Sequence, residues 1–120
     1  LVGSSYATRT CLEAAKALDE LEISAEVIDL RVLNPLNPEK IISSTKKTRR
    51  LIVVDGSWAA CGMASEVIAS VVEKITPNLL LSAPRRITLP FVSAPTPEKC
   101  EQDYYPNSVK IVEEVKRLFL

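Results

Sequence analysis

At 120 residues the chain has the size of one domain with a single core, and its 47% hydrophobic and 25% charged content is that of an ordinary folded protein. Lys+Arg and Asp+Glu balance at 15 each, so there is no basic excess of the kind that nucleic acid or an acidic membrane surface requires, and neither is expected as a partner. No apolar run approaches the roughly 20 residues that cross a bilayer, and no signal peptide is expected. The chain opens on Leu1-Val2-Gly3 and its single methionine is Met63, so it is expected to be a piece of a longer polypeptide, here one domain over residues 1–120. It holds no histidine, which removes the commonest general base and the usual Ser-His and Cys-His pairs. Cys11, Cys61 and Cys100 are odd in number and far apart, which excludes a zinc site and reads as reduced thiols of a cytosolic protein.

In chain order, Cys11, Leu12, Ala14, Ala15, Ala17, Leu18 and Leu21 recur at helical spacing, with Arg9, Glu13, Lys16 and Glu20 turned outward. Ser24 breaks before a β-prone run, Ala25–Leu30. Asn37-Pro38-Glu39 reads as a helix start, with Asn as cap and Pro at the first helical position, and Ile41 and Ile42 form its buried face as far as Thr48. Lys46-Lys47 and Arg49-Arg50 read as the solvated end of that helix. Leu51-Ile52-Val53-Val54, closed by Asp55-Gly56, predicts a central strand. Met63, Val67, Ile68, Val71, Val72 and Ile75 predict a third helix stopped by Pro77-Asn78. Of the two segments flanking Pro84, Leu79–Leu81 and Arg85–Thr88, at least the second is expected to be a strand. Pro90, Pro95, Pro97 and Pro106 predict an extended loop over Leu89–Pro106, after which Asn107 or Ser108 caps a final helix bearing Val109, Val112, Val115 and Leu118 or Phe119. Strands alternating with helices predict an α/β sandwich with a mostly parallel sheet.

Four blocks of this sequence resemble the C-terminal domain of the transketolase-like, thiamine-diphosphate enzymes. They are Gly3-Ser4-Ser5 before Ala14-Ala15; Val27-Ile28-Asp29-Leu30-Arg31 with Pro35; Lys47-Thr48 through Leu51–Asp55 to Gly56, Gly62 and Ser65-Glu66-Val67; and Arg86-Ile87-Thr88 with the Pro-rich loop and Tyr105-Pro106. The variant most similar is the β subunit of the decarboxylating component of 2-oxo acid dehydrogenases. Phe91 stands where the family usually carries an aspartate, and Ser93 replaces the first proline of a Pro-x-Pro pair. The resemblance implies a three-layer α/β/α sandwich with a five-stranded sheet containing one antiparallel strand. It also implies a non-catalytic third domain that packs subunits together and helps to dock the acyltransferase core. Thiamine diphosphate and its Mg belong to preceding domains, so this domain is expected to bind no cofactor. The parent enzyme would decarboxylate a 2-oxo acid and pass the acyl group to a lipoyl carrier, in the cytoplasm of a bacterium or the mitochondrial matrix of a eukaryote. A transketolase or deoxyxylulose-phosphate synthase is the alternative within the family.

The residues themselves leave a second reading open, a free-standing regulatory module. Gly3-Ser4-Ser5 at a strand-to-helix turn offers N–H groups and hydroxyls to an anion, and Asp55-Gly56-Ser57 at the next strand end is expected to share that crevice. Neither glycine pattern of the nucleotide-binding loops is present. Asp29 and Arg31 point to one face of a strand end and are read as a structural pair rather than an anion clamp. Trp58, Phe91, Tyr104 and Tyr105 fall in loops or at their edges and are candidate interface anchors. Glu66 sits near a helix start and reads as dipole support.

Overall fold

The structure, a computed structural model, describes residues 1–119. Among them are four strands, β1 (Val2–Gly3), β2 (Ile28–Asp29), β3 (Ile52–Trp58) and β4 (Arg85–Leu89). The strands run side by side in the order β2-β1-β3-β4, every pair parallel. Five helices accompany them: α1 (Tyr6–Asp19), α2 (Glu39–Thr48), α3 (Met63–Val72), α4 (Glu98–Tyr104) and α5 (Ser108–Arg117). The three-layer α/β/α fold is as expected. The described residues show four parallel strands rather than five with one reversed. Leu79–Leu81, the other segment of strand-like composition, begins inside a 3-10 turn at Pro77–Leu79, where the Leu79 N–H donates to Thr76 O, and only the Leu81 N–H reaches across, to Arg49 O at 2.9 Å.

β3 is the axis of the core. Leu51 and Val53 face Ile41 and Ile42 of α2 and Ala64, Val67 and Val71 of α3, with Val2 and Leu30 beside them. Ile52 and Val54 face Ala7, Cys11, Ala14 and Leu18 of α1 and Ile111 and Val115 of α5. Because both sheet faces are covered, period-2 alternation separates two cores rather than core from solvent, and the strand reads as one continuous apolar run. Cys11 is fully enclosed in the second core, and burial pushes its thiol up to about 11.

Several boundaries differ from the sequence reading. The Ala25–Leu30 strand narrows to Ile28–Asp29, although the ladder runs wider: the Leu1 amine donates to the Glu26 carbonyl and the Leu30 N–H to Gly3 O. β3 runs past Asp55 to Trp58 through a register shift between Val54 and Trp58, so Trp58 closes the strand at the edge of the loop that follows. The Leu89–Pro106 segment contains α4. Its prolines all lie outside the helix: Pro97 precedes it where no intrahelical donor is needed, Pro106 follows it, and Glu98 and Glu101 favour the first turn. Tyr104 therefore ends a helix and is buried. In α5 the buried pair is Ile111 and Val115, while Val109 is exposed, and in α3 Ala64 is buried while Val72 is exposed. Asn107 caps α5, its side-chain oxygen accepting the Lys110 N–H at 3.0 Å.

The face of α5 is open to measurement. Ile111→Ala is expected to lower unfolding free energy by about 2–5 kcal/mol in urea titration, and Val109→Ala by less than about 0.5 kcal/mol.

Candidate functional site: the carboxyl end of the sheet

In a sheet whose strands are all parallel, the carboxyl ends of β1, β3 and β4 open on the same edge, beside the first turns of the helices that follow. Every residue singled out at β1 and β3 in the sequence lies along this edge.

At the end of β1 the backbone turns sharply. Gly3 is buried, and a Cβ there would stand 2.9 Å from the Ala7 carbonyl carbon and the Thr8 nitrogen, so only glycine lets α1 start this close to its strand. Ser5 holds φ 51 and ψ −125, and its hydroxyl caps nothing in α1. The first turn is tied instead from β2: the Thr8 hydroxyl donates to Asp29 Oδ1 at 2.8 Å, and Arg31 Nε donates to Asp29 Oδ2 at 2.6 Å. These two donors, the Thr8 hydroxyl foremost, hold the Asp29 carboxyl below its ordinary range. Ser4 and Ser5 line an open depression with Asp29, Leu30, Arg31 and Leu33, and none of Asp55, Gly56 or Ser57 reaches it. The cation that an anion would use there is already paired.

At the end of β3, Asp55 is buried and both of its oxygens are taken. The Ser57 N–H donates to Oδ1 at 3.0 Å and the Ala64 N–H to Oδ2 at 2.9 Å. One carboxylate thus satisfies a donor freed by the strand's register shift and an orphan donor of the first turn of α3, where its charge also suits the helix dipole. Between them the chain doubles back through Ala59–Gly62. Gly62 lies so close that a Cβ would meet the Trp58 carbonyl at 2.2 Å and Ser57 Oγ at 2.8 Å. Arg86 from β4 closes the turn, Nη1 donating to Ala59 O at 2.9 Å and to Ser65 Oγ at 2.6 Å, while the Ser65 hydroxyl donates to Ala59 O at 3.0 Å. Gly56 is exposed and unconfined, and the Ser57 hydroxyl is enclosed without a partner among the described residues. Glu66 is exposed in the first turn of α3, accepting the Ser70 hydroxyl at 3.5 Å.

The aromatic candidates separate into two pairs. Trp58 and Phe91 meet edge to face with centroids 5.4 Å apart, and Tyr104 and Tyr105 do so at 5.2 Å. Phe91 is 80% exposed, the neighbouring Val92 60% and Trp58 47%. Tyr104 is only 7% exposed and its hydroxyl donates to the Val92 carbonyl at 3.0 Å, so it props the Phe91–Val92 loop from below. Arg86, Ser65 and Val92 acquire their roles here only through tertiary contact. One signal for the surface was legible: residues 56–65 and 87–97 carry no charged side chain, in a chain that is 25% charged.

The donor set is unsuited to a metal-bound diphosphate. Asp29 and Asp55 are committed to protein donors, and no group of three His, Cys, Asp or Glu able to hold a metal occurs among the described residues.

Comparison with known proteins gives a consistent answer. The family model described as transketolase, C-terminal domain, matches residues 1–111. The acetoin:2,6-dichlorophenolindophenol oxidoreductase subunit beta of Bacillus subtilis is 42% identical over 104 residues, 86% of this chain and 30% of that protein. The mitochondrial pyruvate dehydrogenase E1 component subunit beta of Caenorhabditis elegans is 35% identical over 117 residues, 98% of this chain and 33% of that protein. A solved structure titled split gene transketolase, inactive beta4 tetramer, shares the fold with a TM-score of 0.80 at 23% identity, over 98% of this chain and 36% of that one. The chain spans about a third of the length of the curated relatives it matches.

Three predictions test the geometry. Asp55→Ala leaves two N–H groups without their acceptor and is expected to cost about 1–3 kcal/mol in chemical denaturation. Gly62→Ala is expected to destabilise and Gly56→Ala to leave stability nearly unchanged. For Asp29, whose folded carboxyl titrates below the ordinary value of roughly 3.9, the ionised form is the one favoured by folding. Its stabilisation is therefore present above that value and is lost as pH falls through the lowered folded pKa. Thermal melts between neutral and strongly acid pH are expected to show a smaller acid loss in Asp29→Asn than in the parent.

Proposed function

The chain belongs to the transketolase C-terminal domain family, and from that premise we propose that it is the non-catalytic C-terminal domain, one unit over residues 1–120, of the β subunit of a thiamine-diphosphate-dependent 2-oxo acid dehydrogenase. The observation that carries this is the pattern of the matches: subunits beta of pyruvate dehydrogenase and of an acetoin oxidoreductase align over most of this chain and over only about a third of themselves. The same pattern favours a dehydrogenase over the transketolase and deoxyxylulose-phosphate synthase alternatives. In this reading, decarboxylation of the 2-oxo acid and transfer of the acyl group to a lipoyl carrier take place on the parent enzyme. Thiamine diphosphate and Mg are held by its other domains, in keeping with the committed carboxylates here. The domain's own work is contact: with the other subunits, and with the acyltransferase core that receives the product. The parent would act in a bacterial cytoplasm or a mitochondrial matrix. Nothing in the side-chain arrangement favours the regulatory-module reading, since its two presumed halves do not share a depression and their charged groups are paired.

Calorimetric titration tests this directly. The 120-residue chain is expected to show no saturable heat with thiamine diphosphate and Mg, and no 2-oxo acid decarboxylation with an artificial electron acceptor. The full-length gene product, paired with an α-type subunit, is expected to show both. Saturable cofactor binding by the isolated chain, or an intact subunit without cofactor-dependent decarboxylation, would overturn the proposal.

A further inference from the structure

We draw no further inference here: the strongest candidate, the apolar cleft at the amino end of the sheet where Leu1, Ile23, Ala25, Ile52, Val115 and Leu118 meet, carries nothing, because its guanidinium, that of Arg50, is already engaged by the Leu118 carbonyl and the Phe119 ring and nothing in the structure shows what covers it.

Discussion

The Asp55 carboxylate is the interaction on which the arrangement of this domain's working edge depends. It is buried at the end of the central strand and accepts one N–H from the irregular end of that strand and one from the first turn of α3. A buried acid without donors would be costly, and so would two buried N–H groups without an acceptor. Each solves the other's problem only if strand, turn and helix keep their relative positions. That requirement brings Gly62 onto the Trp58 carbonyl and sets Trp58 at the rim, where it meets Phe91.

The same device appears at the other end of the edge. Asp29 fixes the first turn of α1 from β2, accepting from Thr8 and Arg31 as Asp55 accepts from Ser57 and Ala64. In both places a carboxylate of the kind that often signals chemistry has its lone pairs directed at the protein's own donors. A domain that spends its strand-end acids in this way is equipped to hold a shape, and this is what sets it apart from α/β domains whose strand ends keep free groups for a ligand.

Much of the fold could be read from the sequence because its signals are local. Helical spacing placed α1, α2 and α3, the apolar run placed β3, and Asn37 and Asn107 marked helix starts. The misplaced pieces each depended on something distant or on competing local rules. β2 is short because only Ile28 and Asp29 complete a full ladder with β1. α4 hides in a proline-rich segment because proline ahead of a helix is harmless while proline inside it is not. Val109 looked like a core residue until α5 was rotated by its packing on α1 and β3, which selects Ile111 and Val115. The site was legible in kind but not in assembly. Asp29 with Arg31, and Asp55 with the residues after it, were recognisable as strand-end groups. That Arg86 crosses from β4 to close the β3 turn, and that Tyr104 is a prop rather than an anchor, follow from contacts between residues 12 or more apart.

The burial of Cys11 has a use of its own. Its thiol is shut between α1 and the sheet and resists ionisation, while Cys61 and Cys100 are exposed. Since only the thiolate is strongly nucleophilic, alkylation divides the three cysteines into two that react from the native surface and one that reacts only when the α1 layer opens. The slow third label thus serves as a clock for separation of that layer, with no probe engineered into the chain.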